Sequence, residues 1–206
     1  MTVIVDYDAG NVRSVQRACH YVGIDAEISL DPSIIATADR LIFPGVGSAE
    51  SAVETLRHRG IDEAIKTFYA TGKPMLGICL GLQILFEHSE EGNKTCLGIM
   101  AGASEKFNFS DRSFKVPHIG WNELLITQQH SMLKNIKSGD EFYFVHSYFV
   151  SPKSSDHVLG TTTYGDKTFC SVIGKDNLFA TQFHLEKSGE LGLKLLSAFK
   201  HWDATC

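Results

Sequence analysis

The chain has 206 residues, 43% of them hydrophobic and 21% charged, and a formal net charge of −5, which suits one globular domain over 1–206 with a single core. No basic run or basic–aromatic stripe is present (Leu56-Arg57-His58-Arg59 is too short), which argues against nucleic acid or an anionic membrane as partner. The start of the chain lacks the charged and apolar regions of a signal peptide, and no apolar stretch approaches transmembrane length.

Val3-Ile4-Val5 reads as a buried strand. Apolar periodicity at Val12, Val15, Cys19 and Val22 then predicts a helix, with Asn11 as its N-cap and Gly23 as its C-cap. Ala26–Leu30 reads as a second strand, and Asp31-Pro32 opens a short helix. Arg40–Phe43 is a third strand, followed by helical patterns over 50–58 and 61–70. An apolar strand then runs into Cys79, and the helix after it is expected to continue to about Gly92. This alternation implies right-handed βαβ units and a mostly parallel central sheet flanked by helices. The second half reads differently. Strands are expected over 116–127 and 142–150, with a helical segment at 132–136 between them. Three more strands follow at 158–163, 169–173 and 178–183, joined by short turns, as an antiparallel extension. A helix over 188–202 closes the chain.

The segment Gly77-Ile78-Cys79-Leu80-Gly81 joins strand to helix through a Gly-x-Cys-x-Gly turn, the layout of a nucleophile elbow with cysteine in place of serine. The glycines permit the tight turn. The following helix N-terminus directs positive charge at the sulfur, which favours a nucleophilic thiolate. The alternative is a core cysteine at the end of a buried strand. The chain's five cysteines are odd in number and include no C-x-x-C pair, pointing to reduced thiols and a cytoplasmic protein. Cys19 and Cys170 read as small core hydrophobes, and Cys206 has no evident role.

A cysteine nucleophile needs a base, an orienting group and an oxyanion hole. Of the nine histidines, His184 stands out, because Glu186 lies two residues on at the end of a strand pattern. Residues i and i+2 of an extended chain share a side, so Glu186 can hold the tautomer of His184. The alternative is a strand-end histidine beside a solvated glutamate. Pro44-Gly45-Val46-Gly47 follows another strand at the carboxyl edge of the sheet, where open α/β folds place their sites. It offers backbone N–H donors, or it is a plain strand-to-helix turn. No His/Cys/Asp cluster has metal-ligand spacing, which argues against a metal enzyme.

Taken together, Gly77-Ile78-Cys79-Leu80-Gly81-Leu82-Gln83 and Gln182-Phe183-His184-x-Glu186 resemble the class I glutamine amidotransferase family. Asp6-Tyr7 with Gly10-Asn11, the Pro44–Gly47 loop, Val116–Asn122 and Phe144–Tyr148 narrow the resemblance. They point to the glutaminase subunits of imidazole glycerol phosphate synthases in histidine biosynthesis. The resemblance implies that Cys79 attacks the side-chain amide of L-glutamine, that His184 moves the proton and that Glu186 orients His184. It implies an oxyanion hole from the N–H groups of Val46 and Leu80. It also implies substrate contacts from Gln83, Glu91, Gly47 and the main chain of His146, Ser147 and Tyr148. No cofactor is implied.

The implied partner is a (β/α)8 cyclase, bound as a heterodimer, with Trp121, Asn122 and Lys187 near the interface. The alternatives are core packing for Trp121 and solvated side chains for Gln83, Glu91 and Lys187. Free ammonia is mostly ammonium in neutral water, so a glutaminase serving a synthase must pass NH₃ along a dry path to another active site. Two residues depart from the family pattern: Leu185 stands where proline is usual, and Asp8 where glycine is usual. The first is expected to matter little; the second puts the shape of its loop in question. Other readings are an amidotransferase feeding a sugar-modifying synthase, or a docking subunit without activity.

Overall fold

Val12, Val15 and Cys19 turn one stripe of a helix inward, and the short apolar runs around it are buried on both faces as parallel strands. The computed structural model describes residues 1–205, so Cys206 lies outside the described residues. The first half runs β1 (Thr2–Val5), α1 (Val12–Tyr21), β2 (Ala26–Ser29), α2 (Pro32–Thr37), β3 (Arg40–Phe43), α3 (Ala49–His58), α4 (Ile61–Ala70), β4 (Met75–Ile78) and α5 (Leu80–Gln83). Asp31 caps α2 by accepting from the Ser33 N–H, and Ser48 caps α3 by accepting from the Ser51 N–H.

The second half holds β5 (Phe86–Ser89), β6 (Lys94–Thr95), β7 (Met100–Lys106), β8 (His118–Glu123), β9 (Leu125–Ile126), β10 (Glu141–His146), β11 (Tyr148–Pro152), β12 (Val158–Tyr164), β13 (Lys167–Lys175), β14 (Leu178–Thr181) and α6 (Gly189–His201). The main sheet runs β2-β1-β3-β4-β14-β13-β11-β7-β5-β6, with β12 beside β13 and β9 beside β12. Its β2-to-β14 half is parallel, and most of the remainder is antiparallel. β8 and β10 form a separate antiparallel ribbon. The buried apolar side chains make one continuous cluster.

Register places the site. Phe43 of β3 lies opposite Gly77 of β4, and Ile78 of β4 lies opposite Thr181 of β14. The segments that follow these three strands therefore leave the sheet at one carboxyl edge. They are Pro44–Gly47, Cys79 with α5, and Gln182–Glu186. The Cys79 N–H donates to the Thr181 carbonyl at 2.8 Å, which locks the elbow to β14.

Several boundaries differ from the sequence expectation. The helix after Cys79 stops at Gln83 instead of running to Gly92. The carbonyls of Ile84, Leu85 and Phe86 accept from Leu97, Met100 and Gly98, so no helical ladder can continue through them. Phe86–Ser89 then pairs with β7 and β6. The expected strand over 142–150 breaks at Ser147, whose carbonyl accepts from the Phe107 N–H. The expected strand over 116–127 is shorter and interrupted at Leu124, and the helical segment at 132–136 is a 3₁₀ turn over Ser131–Leu133.

Candidate active site

Cys79 takes φ 54° and ψ −109°, a conformation that side chains with a Cβ rarely adopt. Its surroundings impose it. A Cβ on Gly81 would run into the Phe43 carbonyl, so only glycine lets α5 start this close to β3. The sulfur faces a cavity of about 450 Å³ lined by Val46, Gly47, Leu80, Gln83, Glu91, Pro117, Val145, His146, Ser147, Tyr148 and Lys187.

His184 is buried and its Nδ1 lies 2.8 Å from Glu186 Oε1. Its Nε2 has no hydrogen-bond partner among the described residues. Burial disfavours the imidazolium, yet the negative charge of Cys79 and the charge and hydrogen bond of Glu186 more than offset it and raise His184 to about 10. Burial by itself would push the Glu186 carboxyl up. The hydrogen bonds from His184 and Asn11, with the charge on His184, instead hold it below the usual carboxylate range. These surroundings favour the imidazolium form, in which Nε2 also carries a proton. Away from the site, burial pushes Cys19 up to about 12, Cys96 up to about 11 and Cys170 up to about 12.

Two backbone donors were expected at an oxyanion hole. The Leu80 N–H is occupied, donating to the Gly45 carbonyl at 3.4 Å. Val46 and Gly47 line the cavity beside it, with Gly47 at φ 97°. Tyr7 donates through its hydroxyl to the Pro44 carbonyl at 2.9 Å and braces the loop from below.

A family model described as glutamine amidotransferase class-I matches residues 3–201. The chain belongs to the class I glutamine amidotransferase family. Among curated relatives of this amidotransferase, a protein of Desulfovibrio desulfuricans named "Imidazole glycerol phosphate synthase subunit HisH" is 47% identical over 204 residues, covering 97% of this chain and 93% of that one. One of the same name from Rhodopirellula baltica is 48% identical over 200 residues, covering 97% and 96%. In fold, the chain is similar to a solved structure titled "Crystal structure of glutamine amidotransferase", at TM-score 0.72 and 18% identity over 96% of this chain and 98% of that one.

The remaining positions singled out in this amidotransferase's sequence fall in three groups. Gln83 is buried in the cavity wall, where its Nε2 donates to the Tyr148 carbonyl at 2.8 Å and to Gln182 Oε1 at 3.2 Å, leaving Oε1 for a ligand. Glu91 also reaches the cavity, but its Oε2 accepts from the Ala49 N–H at 2.6 Å, at the start of α3. Trp121 is 54% exposed on β8. Its ring meets Tyr143 edge-on with centroids 6.0 Å apart, and Lys187 Nζ lies 5.7 Å from the centre of that same Tyr143 ring. Asn122 is half-buried next to Trp121 and donates to the Thr163 carbonyl at 3.0 Å. Trp121 thus stands out from the surface instead of packing in the core, with Ile119 of the same strand exposed on the same side-chain alternation.

Sequence reasoning missed two partners of the site. Asn11 occupies the N-cap position of α1 as expected, but its side chain makes no cap bond and instead donates to Glu186 Oε1 at 2.9 Å. Gln182 donates to Cys79 Sγ at 3.7 Å. Both sit inside motifs quoted above, Gly10-Asn11 and Gln182-Phe183-His184, and that placement was the available signal. Of the two departures, Asp8 does adopt a left-handed φ of 71°. Its N–H donates to Asp6 Oδ1 and its carboxylate pairs with Arg59 at 2.7 Å, so local bonds hold the conformation. Leu185 is buried and opens a 3₁₀ turn over Leu185–Lys187, after His184 in extended conformation. Among the described residues no group of three His, Cys, Asp or Glu side chains could hold a metal ion, and no helix is long and apolar enough to cross a membrane.

Proposed function

We propose that this chain is the glutaminase subunit of an imidazole glycerol phosphate synthase, hydrolysing L-glutamine and delivering ammonia to a partner cyclase in histidine biosynthesis. The observation that carries the chemistry is the strained Cys79 elbow beside the buried His184–Glu186 pair, opening on a cavity of about 450 Å³. Cys79 Sγ attacks the side-chain carbonyl carbon of glutamine. The His184 imidazolium gives its proton to the departing ammonia, leaving a γ-glutamyl thioester. His184, now neutral, takes a proton from water, which attacks the thioester and releases glutamate. Glu186 keeps the imidazole aligned. Gln83, Glu91, Gly47 and the main chain of His146–Tyr148 hold the amino-acid end of the substrate.

The oxyanion donors suggest the switch. The Gly45–Val46 peptide carries both the carbonyl that occupies the Leu80 N–H and the N–H of Val46. One flip of that peptide frees the first donor and turns the second toward the cavity. Losing an oxyanion donor costs roughly 10²–10³ in rate, enough to keep an uncoupled glutaminase nearly idle. The chain works in the cytoplasm as a heterodimer with a (β/α)8 cyclase. Trp121, Asn122 and Lys187 lie at the contact, and binding of the cyclase's ribonucleotide substrate drives the flip.

The test is co-purification with the candidate cyclase and assay of glutamine-dependent ribonucleotide cyclisation. Cyclisation fed by glutamine in the complex, lost in Cys79→Ala but restored by added ammonia, supports the reading. Glutaminase turnover by the chain alone at the rate of the complex would refute the switch. Association with a sugar-modifying synthase instead would refute the pathway.

A further inference from the structure

His118 of β8 and His146 of β10 lie opposite each other in the ribbon register, and both are buried, at 2% and 5% exposure. Their rings form one link of a hydrogen-bonded line whose direction can be worked out. The Tyr148 carbonyl can only accept, and it lies 2.8 Å from His146 Nδ1, so Nδ1 carries the proton. His146 Nε2 is then an acceptor. Its neighbour at 3.1 Å, His118 Nδ1, must carry the next proton. His118 Nε2 in turn accepts from the Asn122 amide at 3.3 Å. This order holds only if both rings are neutral, and burial favours that form in each.

The line continues into the site. The Tyr148 carbonyl also accepts from Gln83 Nε2, whose second proton goes to Gln182 Oε1, and Gln182 Nε2 reaches Cys79 Sγ at 3.7 Å. The two histidines therefore fix the carbonyl on which the cavity wall and the amide next to the nucleophile are both hung. Aromatic packing holds them in place: His118 stacks between Phe144 and Tyr164, with centroids 5.0 and 4.1 Å away.

We propose that His118 and His146 are positioning residues for glutamine, their one-way pair setting the Val145–Tyr148 wall of the cavity against Cys79. The proposal rests on the glutaminase reading and assigns to the two imidazole side chains a role that the main-chain contacts of His146–Tyr148 do not cover.

The experiment compares His118→Phe with His118→Asn in the full chain. Phenylalanine keeps the stacking but cannot donate to His146, while asparagine carries an N–H where Nδ1 was but gives up the ring. Alkylation of Cys79 is followed with a chloroketone analogue of glutamine and with iodoacetamide. An unpartnered buried acceptor should raise the half-saturating chloroketone concentration about tenfold in His118→Phe, with iodoacetamide reactivity unchanged and His118→Asn within about threefold of wild type. A wild-type response of His118→Phe, an equal loss toward both reagents, or a greater loss in His118→Asn would overturn the proposal. Ring ¹⁵N shifts of the unmodified protein give a second measurement, independent of how the variants fold. Both histidines should be neutral Nδ1–H tautomers, and an Nε2–H tautomer on either ring would overturn it. Absence of any saturable chloroketone preference in wild type would sink the glutaminase reading itself.

Discussion

Asn11 Nδ2 donates to Glu186 Oε1 at 2.9 Å, joining residues 175 positions apart in the chain. The same carboxylate oxygen takes His184 Nδ1, so the loop before α1 helps aim the imidazole.

Replacing Asn11 with alanine removes one of the hydrogen bonds on a buried carboxylate. Hydrogen bonds to charged groups are worth about 1.5–3 kcal/mol, so glutaminase kcat in the cyclase complex should fall by about tenfold or more. KM should stay within about threefold, because Asn11 does not line the cavity. Asn11→Asp should be worse, since it sets a second carboxylate against Glu186. Steady-state assays of both variants decide this; equal kcat for all three proteins would remove Asn11 from the site.

Strain at Cys79 predicts an unusual stability order. Glycine meets φ 54°, ψ −109° without a Cβ penalty, whereas alanine keeps the penalty and loses the sulfur. Cys79→Gly should therefore be more stable than Cys79→Ala by about 1–3 kcal/mol, with both inactive. At this size each kcal/mol corresponds to about 2–4 °C in Tm, which calorimetry resolves.

The buried histidine pair predicts a pH dependence. Burial pushes His118 down to about 4 and His146 down to about 3, against 6.5 for an ordinary histidine. Below pH 6.5 the unfolded chain therefore binds protons that the native state refuses, and stability falls with pH until the native rings titrate. Above that pH the pair contributes no slope. Each ring adds about 1.4 kcal/mol per pH unit within the window. Urea unfolding of His118→Phe between about pH 6 and pH 4 should show a slope shallower than wild type by about that amount. An unchanged slope would mean that His118 is protonated in the native state.

Placing proline at position 185 should change little in catalysis. His184 is already extended at φ −88°, ψ 108°, as a residue before proline must be, and position 185 opens a turn, where proline is tolerated. Proline gains about 0.4–1 kcal/mol from the unfolded chain, but the buried Leu185 loses packing of slightly greater worth. The expected result is a Leu185→Pro protein with unchanged kcat and a Tm lower by a few degrees. A kcat change beyond about threefold would show that the main chain at 185 tunes His184.

Most of the first half was legible because its signals are local. Apolar runs, caps and glycine turns each act within a few residues, and α1 to α4 fall where periodicity places them. The helix expected after Gln83 failed for a non-local reason: Leu97, Met100 and Gly98 take the carbonyls that a helix would need. Asn11 does hold the N-cap position of α1, but its side chain reaches Glu186 instead of capping, and the two uses look the same in sequence.

The residues by themselves determined that a cysteine would stand on a sharp strand-to-helix turn, because only the glycines around it permit that geometry at close range. They also placed an imidazole two residues from a carboxylate. Tertiary structure alone decided that these pieces meet. β14 lies parallel beside β4 with Thr181 opposite Ile78, and that pairing depends on contacts far apart in the chain. It likewise decided that Leu80's N–H rests on Gly45, that Trp121 faces outward, and that His118 and His146 share one proton line into the cavity wall. Such relationships arise from how surfaces pack after the chain has folded back on itself, and periodicity along the sequence carries no trace of them.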